Sequence, residues 1–257
     1  ELFKALRIPW HPDGLGPSNH LLSSQVQCVN ALGQMVSDPA RITRAFAGLL
    51  GTAEPLQIEP GRFLTFEFIG DTDFFNEAEG GQRTRGSHCT SVDAALLHRT
   101  IEGIVELVLI EWKYTESYRP RRPDGRDQAR QRRYEAALKA PGSPINHGLM
   151  PFDCFLDEPL YQLMRQQLFA HLLEMSRAHD ADRVRVLHVL PKSNLAYQQS
   201  VHRDEVRALG STVGEVWARL LRTHDRFISV DSSVFLDPRI TSPEYVARYG
   251  PATNEAT

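Results

Sequence analysis

Residues 103–115 read GIVELVLIEWKYT, and how they are read decides the fold. From Val105 to Ile110 the stretch is apolar apart from Glu106, too short to span a membrane and rich in the β-branched and aliphatic residues that favour a strand. Glu111 and Lys113 then stand two residues apart at its end. Residues two apart on a strand share a face, so this pair points one way and Trp112 the other. A carboxylate and an ammonium are costly to bury and gain little if merely solvated. Two readings are open for the pair: a surface ion pair at a strand end, or part of a chemical site.

The neighbouring sequence favours the site. TSVDAALLH (90–98) reads as another strand, and Glu102-Gly103 supplies a tight turn between the two, which makes an antiparallel hairpin. Asp93 then comes within about a residue of lying opposite Glu111. Two carboxylates with room for waters suit a hard divalent cation such as Mg²⁺. An adjacent lysine can orient a water or offset charge on a phosphate. RFLTFEFIG (62–70) reads as a strand before the hairpin.

Around this centre the rest of the chain falls into place. Ser18-Asn19 is a helix cap before a helix over about 20–37, and Asp38-Pro39 opens a second helix to about Leu50. Pro55, Pro60 and Gly61 mark a break. Downstream, Asp157 is expected to cap a long amphipathic helix through residue 178, followed by a strand at 183–191. A helix over 211–223, a strand over 226–236 and a short helix opened by Thr241-Ser242-Pro243 complete the order α-α-β-β-β-α-α-β-α-β-α. No internal repeat or linker composition is present, so one domain over 1–257 is expected, with a core over about 18–190 and an αβα extension over 191–257.

Composition narrows the function classes. The chain of 257 residues is 41% hydrophobic and 24% charged, with a net charge of −3. Its three cysteines are widely spaced with no CxxC pair, which argues against a disulfide framework or structural zinc and for a reducing, cytoplasmic compartment. No P-loop or dinucleotide fingerprint occurs. Residues 119–139, RPRRPDGRDQARQRRYEAALK, carry eight basic residues against three acidic ones. Such a stretch is either a solvated arginine-rich face or a surface for a phosphate backbone, with Arg130, Arg132 and Arg133 as contacts. Arg83, Arg85 and His88, in the Gly-rich loop before Asp93, are further phosphate candidates.

Asp93, seventeen intervening residues and Glu111-Trp112-Lys113 resemble the D…(D/E)xK signature of the PD-(D/E)xK, or restriction-endonuclease-like, nuclease superfamily. RTRGSHCTSVDAA (83–95), LIEWKYTES (109–117) and YQLMRQQ (161–167) are similar to a bacterial branch of it. The resemblance implies an α/β fold with an αβββαβ core, a central mixed sheet flanked by helices, the Asp on the second core strand and ExK on the third. It implies Asp93, Glu111 and the Trp112 carbonyl as ligands of Mg²⁺ (or Mn²⁺), and Lys113 as the catalytic lysine. The usual proline before the Asp is replaced by Val92. The first helix lacks the acidic residue many members carry, which leaves Gln25 in that place or Glu67 as the third carboxylate. Gln162 and Gln166 match part of a QxxxY pattern without its tyrosine. The implied function is Mg²⁺-dependent hydrolysis of DNA phosphodiesters, with a role in defence; the alternative is a catalytically idle nuclease fold that binds nucleic acid or protein. DNA, and an oligomeric or protein partner, are the expected partners, and no membrane.

Overall fold

A computed structural model describes residues 2–6, 8–10, 16, 22–78, 80–86 and 89–250. Its strands are β1 (Thr52–Leu56), β2 (Leu64–Phe68), β3 (Val92–Thr100), β4 (Val105–Trp112), β5 (Arg183–Val189) and β6 (Phe227–Val230). Its α-helices are α1 (Leu2–Ala5), α2 (Ser24–Leu32), α3 (Pro39–Leu50), α4 (Asp127–Lys139), α5 (Leu160–Met175), α6 (Leu195–Gln198), α7 (Asp204–Arg207), α8 (Val213–Leu220) and α9 (Pro243–Tyr249). Among them none is long and apolar enough to cross a membrane.

The six strands form one mixed sheet in the order β1-β3-β4-β5-β6, with β2 also paired to β3. β3 and β4 are the expected hairpin; β5 joins β4 in parallel and β6 joins β5 in parallel. Gly103, at φ 84°, takes the left-handed conformation the turn requires. Successive β4 residues enter opposite cores, as the alternation of a strand demands. Leu107 and Leu109 pack with Leu163, Phe169 and Leu173 of α5, whereas Val108, Ile110 and Trp112 pack with Leu32, Ile42 and Phe46 of α2 and α3. The result is a helix–sheet–helix sandwich with a central mixed sheet, the expected architecture. Truncating a fully buried residue such as Ile110 to alanine would cost about 2–5 kcal/mol.

The structure corrects several expected boundaries; the last strand, expected over 226–236, is only β6, and Ser232–Phe235 forms a 3-10 turn. Residues 52–56, read as a break because of Pro55, form β1, which pairs with the 97–100 half of β3 while β2 takes the 92–96 half. β1 is an edge strand, where a residue without an N–H costs no ladder bond. The first helix is shorter than expected: α2 is capped by Ser23, whose Oγ accepts from Val26 N at 3.3 Å, and gives way to a 3-10 turn at Gly33–Met35; Ser18-Asn19 lies outside the described residues. Asp157 does not cap α5, because its carboxylate accepts from Arg121 Nε (3.1 Å) and Arg203 Nε (2.7 Å). α5 stops at Met175 rather than near 178, since Arg177, His179 and Asp180 all adopt positive φ. The Asp38-Pro39 start holds: Asp38 Oδ1 accepts from Arg41 N at 3.1 Å and Pro39 opens α3.

Candidate active site

The strand registers assemble the site. Thr65 pairs with Ala95, Phe66 with Ala94 and Phe68 with Val92, so Glu67 lies across from Asp93. Ala94 pairs with Ile110, so the next step sets Asp93 opposite Glu111, and Glu111 pairs with His188. Glu67, Asp93, Glu111 and His188 thus form one row across four strands. Glu67 carries φ 48°, a strained conformation for a residue with a long side chain, of the kind that collects at functional sites.

Each carboxylate is held. Asp93 Oδ2 accepts from Trp112 N at 2.7 Å. In a strand a residue's N–H and C=O point to the same side, so the Trp112 carbonyl also faces the Asp93 edge. Trp112 Nε1 donates to Gln27 Oε1 at 2.8 Å on the opposite face, fixing the indole. Gln166 Nε2 donates to Glu111 Oε2. Glu67 Oε1 accepts from Gln25 Nε2 (3.1 Å) and Oε2 from Ser91 Oγ (2.9 Å). Lys113 Nζ lies 2.6 Å from Glu111 Oε1 and donates to Gln162 Oε1 at 2.6 Å. The Glu111–Lys113 contact is a close ion pair without hydrogen-bond geometry, which leaves the lone pairs of the buried Glu111 Oε1 open.

Electrostatics set the protonation states. Burial opposes the charge on Lys113, but the carboxylates of Glu111 and Asp93 and the nearby Tyr118 hold its pKa well above the ordinary lysine value, so it is an ammonium. Burial, and then the charges of Glu111 and Glu67, push the Asp93 carboxyl well above the usual range. Behind the lysine, Glu158 is raised by burial and has an unpartnered Oε2. Burial and then Lys113 push the His188 imidazole down to about 3; its Nε2 lies 3.2 Å from Tyr197 Oη.

Glu67, Asp93, Glu111, Gln25 and Gln162 line an open cavity of about 430 Å³, with Ser91, Glu116 and Thr115 on its walls. The donor set suits a hard cation: all oxygen, with three carboxylates against one ammonium and an open lone pair on Glu111. As placed, however, no three acidic, histidine or cysteine side chains among the described residues converge as metal ligands. The reason is visible in the bonds: Glu67 is turned to Gln25 and Ser91, and Asp93 to Trp112 N.

The glutamines proposed from sequence, Gln25, Gln162 and Gln166, all touch the acidic row or its lysine. The arginines do not join it. Arg83 donates to the carbonyls of Ile69, Gly70, Asp71 and Thr72 at 2.5–3.1 Å. Arg85 binds Thr65 Oγ1 (2.7 Å), the Phe66 carbonyl (3.0 Å) and Glu59. Arg130 pairs with Asp124 (3.2 Å) and Asp127 (3.0 Å) and lies over the Tyr161 ring. These three, read as phosphate contacts, are committed within the protein: their planar forks match carbonyls and carboxylates supplied by the fold. Arg133 is half-buried and Arg132 exposed; Arg119, Arg122 and Arg126 are exposed as well. His88 lies outside the described residues. Sequence reading missed Ser91, Gln27, Glu158 and His188. Ser91 and His188 were findable, because Ser91 stands two residues before Asp93 on the same strand face and His188 occupies a core position in an alternating strand.

In a comparison with protein families, residues 1–250 match the family described as Restriction Endonuclease associating with ARP, and the chain belongs to that family. No curated protein and no solved structure matches it.

Proposed function

We propose that this chain, as a member of a restriction-endonuclease family, is a metal-dependent nuclease of the PD-(D/E)xK type that hydrolyses DNA phosphodiesters. The observation that carries the reading is the juxtaposition of Asp93 and Glu111 on adjacent strands, both lining an open acidic cavity, with Lys113 Nζ 2.6 Å from Glu111. Asp93 and Glu111 would hold Mg²⁺ (or Mn²⁺), with the Trp112 carbonyl and Glu67 as further oxygens. When bound, the ion would supply charge neutralisation at the scissile phosphate.

The chain's own groups do the rest. Lys113 is charged, so it acts as a donor: it orients the attacking water and offsets charge on the phosphoryl oxygens. Gln162 and Glu111 fix its ammonium from two sides, and Gln166 holds the Glu111 carboxylate from α5. Gln25 and Ser91 hold Glu67 at the edge of the row. The test is Mg²⁺-dependent cleavage of plasmid and of single strands, repeated with Lys113→Ala. Wild type and variant that are equally inert, or equally active, sink the reading.

A catalytically idle binding module is the second reading, favoured by the bonds that Asp93 Oδ2 and both Glu67 oxygens already make within the protein. Isothermal titration with Mg²⁺ or Mn²⁺ separates the two, since an idle module takes up no ion at this row. The family description names an association with ARP, which we extend to this chain as a proposed protein partner, in a role directed against foreign DNA.

A further inference from the structure

A second groove lies beside the acidic cavity, and one helix joins them. The N-terminal end of α2 lines the cavity through Ser24 and Gln25. Its other end, Val29 and Asn30, with Gly33 and Gln34 beyond, faces α9 across an open groove of about 850 Å³. Gln25, Val29 and Gly33 are spaced four residues apart, so they follow one stripe along this wall. On the other side Tyr114, the residue after Lys113, meets Tyr249 edge to face, with centroids 5.7 Å apart at 87°. Tyr249 in turn packs on the buried Tyr245 at 4.8 Å, and its Oη accepts from Asn30 Nδ2 at 3.4 Å.

The lining has the chemistry of a base and a phosphate. Tyr249 is a half-buried ring held from beneath by Tyr245. Asn30 and Gln34 are exposed amides that can donate and accept. Arg248 is exposed and has no ion-pair partner among the described residues. Glu244, one turn before Arg248 on α9, lines the same groove. From Gln25 to Asn30 the axis of α2 advances roughly 8 Å, about two stacked nucleotide steps.

We propose that this groove is a subsite for an unpaired nucleotide, on a single strand that leaves the catalytic cavity along α2. The base stacks on Tyr249 with Tyr114 at its edge, its phosphate meets Arg248, and Asn30 and Gln34 reach its edge atoms. The subsite rests on the nuclease reading and narrows its substrate to one with a single-stranded segment beside the scissile position. Stacking on an aromatic face is tolerant of sequence, so the subsite selects strandedness rather than a base order.

The test is fluorescence anisotropy of a labelled single-stranded oligodeoxynucleotide and of the duplex of the same sequence. Ca²⁺ replaces Mg²⁺, and a denaturing gel checks that the strand stays intact. Tyr249→Ala weakens single-strand binding about tenfold and leaves duplex binding within about twofold, whereas Tyr249→Phe binds as wild type does. Arg248→Ala weakens single-strand binding and lowers its salt slope by about one. Tyr249→Ala with wild-type affinity, equal losses for single strand and duplex, or a wild type that binds no single strand overturns the proposal. The phenylalanine variant keeps the ring and so controls for folding. Binding through Tyr249 by a protein in which Lys113→Ala changes nothing retains the subsite and sinks the nuclease reading instead.

Discussion

Asp93→Asn reports on the acidic row more directly than any loss of activity. Residues opposite one another on adjacent strands place their Cβ atoms about 5 Å apart, and Asp93 has Glu67 on one side and Glu111 on the other. Like charges about 5 Å apart at an effective dielectric near 20 repel by about 3 kcal/mol. Lys113 returns roughly one such term, and the amide oxygen still accepts from Trp112 N. The expected net relief is about 1–3 kcal/mol, the opposite sign to most substitutions. For a chain of this size each kcal/mol moves the melting temperature by about 2–4 °C, so without metal the variant should melt several degrees higher than wild type. Mg²⁺ at about a hundred times its Kd should stabilise wild type by about 2.7 kcal/mol and the variant far less, closing or reversing the gap. Scanning fluorimetry in EDTA and across a Mg²⁺ titration measures both. A variant that melts below wild type in EDTA, or an equal Mg²⁺ gain in the two proteins, refutes the reasoning.

Three further outcomes follow from the same geometry. The His188 imidazole sits at about 3 when folded, pushed down by burial and then by Lys113, against about 6.5 unfolded. The unfolded chain therefore binds more protons in that interval, so this contribution to stability is complete above about pH 6.5 and is lost as pH falls, by about 2 kcal/mol near pH 5. His188→Gln should flatten that part of a denaturation series; an unchanged slope argues against it. Gln166→Leu removes the donor to the buried Glu111 carboxylate and should cost about 1–3 kcal/mol, a chemical-denaturation midpoint that does not move being the contrary result. Replacing Arg122, Arg126 and Arg132 by alanine should lower the salt slope of DNA binding by about 2–3, while Arg83→Ala should lower the melting temperature and leave the slope alone; the reverse pattern would restore Arg83 as a phosphate contact.

The legible parts of this fold were those governed by local rules. Strand alternation at 103–115 placed Glu111 and Trp112 on opposite faces, and the short turn at Gly103 fixed the register that sets Asp93 opposite Glu111. Asp38-Pro39 and Ser242-Pro243 marked helix starts because a cap and a proline at the first turn are local signals. What failed depended on tertiary partners. Pro55 forbids a central strand but not an edge one, and edge position is a property of the whole sheet. Asp157 looks like a cap until Arg121 and Arg203, remote in sequence, claim its oxygens. The arginines misled for the same reason. Composition counts charges, but only the fold shows that Arg83 and Arg85 are fastened to carbonyls and to Glu59.

That redistribution of charge bears on how the proposed substrate would be held. Arg121 and Arg130 are neutralised by Asp124, Asp127 and Asp157, so the stretch at 119–139 presents less positive charge than its sequence suggests. The cavity itself sets Glu67, Asp93 and Glu111, with Glu116 on its wall, against Lys113 alone. A phosphate approaching this cleft meets repulsion; the exposed Arg119, Arg122, Arg126 and Arg132 do not line the cavity, and solvent screens them. A divalent cation at the row would remove most of that negative charge, so binding of the scissile phosphate and its cleavage should share one metal dependence. Affinity measured in EDTA would then reflect only the exposed arginines and the α2–α9 groove, and the increment on adding metal would report the row itself.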